Sequence, residues 1–420
     1  MSQGQGWNPI LPKEKFTPDV EARVFNGRMY LYGSNDEAVG QSYCSDRYYV
    51  YSSCDMKEWK EEGISFTSAQ AHRATEKQMA LYAPDCIRKN GTYYLYYCQP
   101  DGSEGVAQSN YPAGPFSGAR AVEGADGSGI DPAVFIDDDG QAYFYWGQFR
   151  LKAAKLHKTM YKILPETLQK QLIDEAGFGF HEGASIRKRN GIYYLIYTDI
   201  SRGKATCLSY ATAKSPLGPF QKGGIILDNI GCDPNVWNNH GSIAEFGGQW
   251  YVFYHRASMG TEYNRRVCVE KIFFEEDGRI QEVRMTTQGA GDPVDPQQRM
   301  EAYRACEMNG TVHTMQETTE GRTHEYLCHI EDGDWMAYRY FRFARPMKQI
   351  KMMAGAEGGA VIEVRLDAPE GEKIGECMIK PGGWQIYAAP VMPAAGIRAL
   401  YLTAKAPSGT HCCISYFEFC

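Results

Sequence analysis

The stretch His181-Glu-Gly-Ala-Ser-Ile-Arg-Lys-Arg-Asn-Gly-Ile-Tyr-Tyr-Leu-Ile-Tyr-Thr198 decides the fold. A strand that leans apolar leads to the pair Asn190-Gly191, and a strand of aromatic and β-branched residues follows. Asn-Gly between two such strands predicts a tight β-hairpin, because both turn residues need a positive φ. A lone acid, Glu182, lies at the beginning of the first strand.

The same hairpin pattern occurs four more times along the chain, at Phe25–Tyr32, Lys89–Tyr96, Asp138–Tyr145 and Phe246–Phe253. The turn glycines of the five copies lie 64, 49, 51 and 57 residues apart, at Gly27, Gly91, Gly140, Gly191 and Gly248. A period of about 50 residues fits one four-stranded propeller blade. The sequence therefore predicts an all-β fold in which residues 1–290 form a five-bladed β-propeller. We expect the hairpin 267–283 to supply the strand that closes the ring.

The end of the chain has a different pattern. Residues 286–298 are rich in Gly, Pro and Asp, which is typical of a linker. From there to Cys420, short strands alternate with Gly- and Pro-containing turns. This spacing predicts that residues 299–420 form a second domain, a β-sandwich of the jelly-roll type.

Composition and charge exclude several classes of protein. The net charge of −7 argues against nucleic-acid binding, which usually needs a basic surface. We find no signal-peptide pattern and no run apolar enough to span a bilayer. The 13 cysteines include no CxxC pair, so we expect reduced thiols in a cytoplasmic protein without nucleic-acid or membrane partners. The oligomeric state stays open.

One polar residue begins the first strand of each repeat, and the five are Asp19, Asp85, Asp131, Glu182 and His240. Because the first strand of every blade lines the central channel, equivalent positions should converge at one end of it. Carboxylates that crowd together cannot all ionise freely, so at least one pKa should be raised, as general acid–base catalysis requires. The Ala-Pro-Asp sequence around Asp85 favours a structural role for that acid.

These residues carry a resemblance to a known family. Residues 8–290 resemble glycoside hydrolase family 43, the five-bladed propellers of arabinan and xylan breakdown. The matching motifs stand in the family's order: Asn8-Pro-Ile-Leu11, Thr17-Pro-Asp19, Tyr82-Ala-Pro-Asp85, Asp131-Pro-Ala-Val-Phe135, Glu182-Gly-Ala-Ser185 and His240-Gly-Ser242. The resemblance implies an inverting mechanism in which Asp19 is the general base, Glu182 is the general acid, and Asp131 orients and tunes the acid.

The resemblance also implies residues that bind the substrate and a metal. Arg265 and Arg266 resemble an arginine pair of which one member reaches the substrate, and Tyr82 is expected to contact the substrate. His240 resembles the family's axial histidine, which faces a metal ion or water in the channel. The resemblance allows a calcium ion in the propeller channel or in the sandwich domain, and no organic cofactor.

The C-terminal part resembles a family 6 carbohydrate-binding module. The matching motifs are Arg299-Met-Glu-Ala302, Ile330–Tyr338, Ile362–Asp367 and Gly382-Gly-Trp-Gln385. Trp384 matches the Trp that stacks on sugar in that family's cleft. His329 stands where a second aromatic residue is usual, and Cys413 stands where an asparagine usually grips the sugar. Both a sugar-binding domain and a purely structural sandwich therefore stay open.

Together these features predict an inverting, exo-acting glycoside hydrolase. Its substrates would be terminal α-L-arabinofuranosyl or β-D-xylosyl residues of plant-type oligosaccharides, and the sequence does not separate the two sugars. One alternative is an endo-arabinanase or xylanase. The other is a non-catalytic sugar-binding propeller, against which the intact Asp19, Asp131 and Glu182 argue, because a lectin needs no acid with a raised pKa.

Overall fold

A ring of five antiparallel sheets forms the first part of the chain. The computed structural model describes residues 6–74, 78–127, 129–232, 238–319 and 322–420. The first strand of each sheet contacts the first strand of the next, and the fifth contacts that of the first sheet. Five sheets arranged in this way surround one central channel, which is the predicted five-bladed propeller.

The sheets follow chain order, with each strand beside the next. Blade one contains β1 (Glu21–Phe25), β2 (Arg28–Tyr32), β3 (Arg47–Ser53) and β4 (Lys60–Thr67). Blade two contains β5 (Tyr82–Lys89), β6 (Thr92–Cys98), β7 (Glu104–Ser109) and β8 (Ser117–Ala121). Blade three contains β9 (Ala133–Ile136), β10 (Ala142–Trp146), β11 (Arg150–Lys155) and β12 (Gln169–Asp174).

The remaining two blades complete the ring. Blade four contains β13 (Phe180–Arg189), β14 (Ile192–Asp199), β15 (Cys207–Ala213) and β16 (Gln221–Asp228). Blade five contains β17 (Ser242–Phe246), β18 (Gln249–Ser258) and β19 (Thr261–Ile272). One short helix, α1 (Glu175–Phe178), precedes blade four, and 3₁₀ turns lie at Ser68–Gln70, Pro165–Thr167 and Ala302–Arg304 within the described residues.

The predicted turn residues adopt the backbone that the pattern requires. Asn190 and Gly191 have φ of 50° and 74°, and they join β13 to β14. The other four turn glycines also have positive φ. Because an Asn-Gly turn of this kind fixes the register of its two strands, the repeated turn determines which face of each inner strand meets the channel.

The ring closes differently from our expectation. The hairpin 267–283 does not add a strand to blade one; its first part belongs to β19, and its second part forms only the isolated bridge between Phe274 and Ile280. The N-terminal segment instead lies along β19. Asn8 exchanges side-chain hydrogen bonds with the backbone of Val269 at 2.8 and 3.0 Å, and the amide of Ile10 donates to Val267.

The second domain is a sandwich of two antiparallel sheets, as predicted. One sheet has the order β22 (His313–Thr319), β23 (Arg322–Ile330), β30 (Cys412–Phe419), β25 (Gln349–Ala356) and β28 (Gly382–Pro390), with β20 (Met300–Glu301) also on β30. The other has the order β21 (Glu307–Met308), β24 (Trp335–Phe343), β29 (Gly396–Lys405), β26 (Ala360–Leu366) and β27 (Lys373–Ile379). Apolar side chains of both sheets, including Phe341, Leu400 and Phe417, form one buried core.

The two domains share a packed seam. Cys306, Ala337, Ala399 and Tyr401 of the sandwich belong to the same buried apolar cluster as side chains of blades four and five. The predicted linker 286–298 is hydrogen-bonded within this seam, since the amides of two of its residues, Thr287 and Gln288, donate to the carbonyl of Arg339. In the described part of the chain, no helix is long and apolar enough to cross a membrane.

Candidate active site

His240 lies close to two other predicted site residues, Asp19 and Asp131. Its Nδ1 is 3.7 Å from Asp19 Oδ1 and 3.8 Å from Asp131 Oδ2. The same Asp131 oxygen accepts a hydrogen bond from the amide of Gly183 at 3.1 Å, directly after Glu182. Residues from blades one, three, four and five therefore converge at one end of the channel, as the repeat pattern predicts.

The backbone at this end of the channel is unusual. Asp19 and Asp131, which precede the first strands of blades one and three, have φ of 56° and 59°. This left-handed conformation is uncommon for residues other than glycine, and such strain is concentrated at functional sites. Gly183 has φ of 70°, and a Cβ there would lie 2.9 Å from the ring of His240. Only glycine therefore lets blade four approach His240 this closely.

Asp19 is a buried carboxylate beside one guanidinium and two imidazole rings. Nη1 of Arg265 donates to its Oδ1 at 3.0 Å, and the ring of His255 is 3.5 Å away. Burial acts to raise the pKa of Asp19, but Arg265, His240 and His255 outweigh it, and the pKa is lowered. Asp19 is therefore ionised at neutral pH, the state that a general base needs.

The protonation state of His255 follows from its contacts. The amide of Asp19 donates to its Nδ1 at 3.4 Å, and its Nε2 lies 3.1 Å from Oδ1 of Asn238. Nδ1 is thus the acceptor nitrogen, and Nε2 carries the proton toward the amide oxygen. Burial, together with Arg265, lowers the pKa of His255 to about 3. The ring is neutral, so it positions Asp19 without adding a full charge.

Asp131 and Glu182 form an interacting pair of acids. Burial raises the pKa of Asp131 well above its ordinary value, and the neighbouring carboxylates of Glu182 and Asp19 raise it further. Glu182 is less buried, and its Oε2 accepts a hydrogen bond from Nε2 of Gln148 at 2.8 Å. A buried acid with a raised pKa beside a second, less buried acid is an arrangement that general acid–base catalysis uses.

Asp85 does not join this group. Nε and Nη2 of Arg23 bind its two oxygens at 2.9 and 2.6 Å, and the amide of Val134 donates to it at 2.7 Å. Next to this pair, Arg187 donates to Glu21 at 2.8 Å. These buried ions connect the inner strands of the first four blades along the channel. Asp85 lies within β5 and not in the turn that its sequence suggests, and its ion pair with Arg23 links blades one and two.

The two arginines predicted to bind substrate lie in different places. Arg265 is in the site, bonded to Asp19. Arg266 is not: its guanidinium is buried in the seam, where it pairs with Glu325 of the sandwich domain at 2.5 Å. The prediction that Arg266 binds substrate is thus at odds with the structure, because neighbouring residues of a strand point to opposite faces. Tyr82 is half-buried, with Asp131 and Arg265 among the charged groups around it.

The donors around His240 do not form a direct calcium site. Calcium takes six to eight oxygen ligands. Here the nearest carboxylate oxygens, on Asp19 and Asp131, already accept hydrogen bonds from Arg265 and the Gly183 amide. His240 would contribute a nitrogen, so most ligands of an ion in the channel would have to be water. We therefore derive no step of the chemistry through a metal at this position.

Trp384 lies in a separate cleft on the sandwich domain. The cleft has a volume of about 380 Å³ and is also lined by Tyr326, Glu357, His411 and Cys413. The ring of Tyr326 meets Trp384 edge-on at 5.0 Å between centroids. Tyr326, rather than the residue at position 329, thus supplies the second aromatic ring beside Trp384.

The comparisons with known proteins agree with this geometry. The sequence model described as "Glycosyl hydrolases family 43" matches residues 7–280. The chain belongs to glycosyl hydrolase family 43. The model described as "Carbohydrate binding module (family 6)" matches residues 301–420 of this family 43 protein. Both predicted resemblances, the propeller-plus-sandwich fold and the glycosidase class are therefore confirmed.

Similar proteins span the whole chain. A "Xylosidase/arabinosidase" of Thermoclostridium stercorarium is 32% identical and covers 96% of each chain. A solved structure of a family 43 arabinoxylan arabinofuranohydrolase from Bacillus subtilis, in complex with cellotetraose, has a TM-score of 0.58 and 26% identity, covering 99% of this chain and 97% of its own. A β-xylosidase/α-arabinofuranosidase of family 43 from a compost metagenome, with xylotriose and in calcium-free form, has a TM-score of 0.58 and 29% identity over 67% of this chain and 98% of its own.

Three residues of the site in this family 43 protein were not predicted from the sequence, namely Asp36, Gln148 and His255. Asp36 and Gln148 follow the second strands of their blades, and His255 lies near the end of one. The second strand runs antiparallel to the first, so its end meets the end of the channel where the first strand begins. Polar residues at those strand ends were the signal that could have revealed them.

Proposed function

We propose that the protein is an inverting, exo-acting glycosidase that removes terminal α-L-arabinofuranosyl or β-D-xylosyl residues from oligosaccharides. The observation that carries this proposal is that two neighbouring acids at the channel end, Asp19 and Asp131, have pKa values shifted in opposite directions. Arg265 helps to hold the pKa of Asp19 below its ordinary value, whereas burial and the neighbouring carboxylate of Glu182 raise the pKa of Asp131. An acid and a base at neutral pH are what hydrolysis of a glycosidic bond needs.

In the proposed reaction, Glu182 donates its proton to the leaving glycosidic oxygen as the bond to the anomeric carbon breaks. Asp19 takes a proton from the water that attacks the opposite face of that carbon. Asp131 accepts a hydrogen bond from the Gly183 amide at 3.1 Å, which fixes the backbone beside the acid, and we propose that the charge of Asp131 opposes loss of the proton from Glu182. A water that attacks directly, without a covalent intermediate, inverts the configuration.

Exo action is supported by a wall beside the base. The loop after β2 reaches blade five, where the side-chain amide of Asn264 donates to Glu37 at 2.7 Å and accepts from the Val39 amide at 3.2 Å. Further along the loop, Tyr43 packs edge-on against Tyr263 and lies under the guanidinium of Arg265. This wall limits how far a sugar chain can extend past Asp19, which favours a site for a terminal residue.

The experiment that tests this function compares small and polymeric substrates. We expect hydrolysis of nitrophenyl α-L-arabinofuranoside or nitrophenyl β-D-xyloside, and release of only monosaccharide from arabinoxylan oligosaccharides. Early release of intermediate oligosaccharides from arabinan or xylan would indicate an endo-acting enzyme instead. Binding of oligosaccharides without turnover of any substrate would favour the non-catalytic propeller.

We further propose that the catalytic domain spans residues 1–290 and that residues 299–420 bind the polysaccharide through the Trp384 cleft. Trp384 and Tyr326 offer apolar ring surface, and Glu357 offers a hydrogen-bonding edge in the same cleft. We expect Trp384→Ala to weaken binding to insoluble xylan while hydrolysis of the nitrophenyl glycosides stays the same. Trp59→Ala in the propeller is the control for loss of a tryptophan. Equal xylan binding by both variants would assign the sandwich a structural role.

We propose a cytoplasmic location, which is supported by the thirteen free cysteines. We also propose that any calcium in this chain is held mainly through water, for the reason given above for His240. Metal analysis of the purified protein, before and after a chelator, tests the second proposal: calcium that survives extensive dialysis at one equivalent would contradict it. Activity in fractionated cells tests the first.

A further inference from the structure

The sandwich domain carries a cluster of metal-binding side chains outside its sugar cleft. His313 lies at the start of β22, and Cys328 and His329 lie near the end of β23. The ligand atoms of these three residues are all within 4.8 Å of one another. The thiol is buried, whereas His329 is exposed and His313 is half-buried. An ion could therefore reach the cluster from solvent.

The local backbone brings the three side chains together. Neighbouring residues in a regular strand point to opposite faces, so Cys328 and His329 should not share one side. His329 has φ of 51°, and the pairing of β23 with β30 shifts register between Leu327 and Ile330. This bulge turns the ring of His329 back over β22, where it stacks on His313 with centroids 4.7 Å apart.

A second contact prepares His313 as a ligand. Its Nδ1 is 2.9 Å from the carbonyl oxygen of Thr311, which can only accept a hydrogen bond. Nδ1 therefore carries the proton, and the lone pair is on Nε2. A ring nitrogen fixed by a backbone carbonyl is the usual outer support of a metal-bound histidine.

We propose that His313, Cys328 and His329 bind one zinc ion, or another divalent transition-metal ion of similar softness. Two imidazoles and a thiolate suit such ions and do not suit calcium or magnesium, which take oxygen ligands. The Cys328 thiol loses its proton to solvent on binding, and a water completes the tetrahedral set.

The position of the cluster gives the ion a role in holding the domains together. A Cβ on Gly260 would lie 3.1 Å from the ring of His313, and the amide of Met259 donates to Thr314 at 2.8 Å. Met259 and Gly260 form the turn between β18 and β19, and β19 carries Arg265. A metal that fixes the β22–β23 pair would thus fix the surface on which this turn rests.

The test uses the full chain and metal ions alone. We expect calorimetry to detect one tight zinc site that is weakened at least tenfold in Cys328→Ser and in His329→Ala. Cobalt substituted for zinc should give a thiolate-to-cobalt charge-transfer absorption that Cys328→Ser abolishes. Cys54→Ser, which removes an exposed cysteine of blade one, should leave both signals unchanged. Zinc should also raise the melting temperature of the wild type and not that of His329→Ala.

Two results would overturn the proposal. One is the absence of a tight zinc site in the reduced wild-type protein. The other is zinc affinity and cobalt absorption that persist in Cys328→Ser and His329→Ala. Because His329 is exposed, its alanine variant should fold, and circular dichroism identifies a variant that does not. The outcome is independent of the proposed glycosidase activity, since it is read from metal binding and melting temperature.

Discussion

Arg265 binds Asp19 and Asp36 at the same time. Its Nη1 donates to Asp19 at 3.0 Å, while Nε and Nη2 donate to the two oxygens of Asp36 at 3.0 and 2.9 Å. All three side chains are buried. The guanidinium thus joins the predicted base to the loop after β2, and its fixed geometry sets both the charge and the direction of Asp19.

Arg265→Lys is expected to change both the charge near Asp19 and the direction of its carboxylate. The pH profile and kcat report these two changes separately. A single ammonium cannot reproduce the two-sided bonding of a guanidinium, so the pKa of Asp19 should rise. The base is active when ionised, and the acidic limb of kcat/KM against pH should therefore move to higher pH. We expect kcat to fall about tenfold or more, because the carboxylate is less well directed. Arg398→Lys, in an exposed pair of the sandwich, is the control. An unchanged acidic limb would contradict the assigned role.

Glu182→Gln is expected to remove the proton donor. Loss of a general acid typically costs about 10²–10⁴ in rate. The loss should be largest for substrates with a poor leaving group, such as xylobiose, and smaller for a dinitrophenyl glycoside, which leaves without protonation. Comparison of kcat for the two substrates checks this. Glu166→Gln, on an exposed turn of blade three, should behave as wild type. An equal loss on both substrates would assign Glu182 a role other than acid.

Asp131→Asn is expected to shift the basic limb of the pH profile. In the proposed reaction Glu182 donates a proton, which it loses as the pH rises. Activity needs that proton, so the rate falls at high pH. An uncharged Asn no longer disfavours the ionised form of Glu182, and the basic limb should move to lower pH. Measured kcat/KM profiles that keep the same basic limb would show that Asp131 does not tune the acid.

Arg266 should matter for stability and not for substrate binding. Arg266→Ala leaves Glu325 buried without its charge partner, which typically costs about 3–5 kcal/mol. We expect a lower melting temperature and an unchanged KM for nitrophenyl glycosides. The double variant Arg266→Met with Glu325→Leu should recover much of the loss, since a buried ion pair can be replaced by apolar groups. A raised KM with unchanged stability would restore Arg266 to the substrate site.

The repeat predicted the fold because it encodes local geometry. Asn190-Gly191 and its sister turns determine strand register, and register places Asp19, Asp131, Glu182 and His240 at one end of the channel. Contacts that depend on packing between distant elements were not predictable. The closing strand is an example, because the N-terminal segment, rather than the hairpin that ends the propeller sequence, fits the open side of β19.

Arg265 and Arg266 illustrate the limit at the level of single residues. The sequence motif suggests that both bind substrate. Because side chains alternate along β19, Arg265 points into the site and Arg266 points into the domain seam. The seam exists only when the sandwich domain docks, so the partner of Arg266 could not be read from the propeller sequence. The position of His255 near the end of β18 was a usable signal, but its contact with Asp19 spans 236 residues and could not be read from either segment.

The configuration of the first product tests the central claim most directly. Proton NMR of nitrophenyl β-D-xyloside hydrolysis, recorded before mutarotation, should show α-xylose as the first product. With the corresponding α-L-arabinofuranoside, the β anomer should form first. Both results follow if Asp19 activates water opposite the bond that Glu182 protonates. Initial release of the anomer with retained configuration would contradict this account.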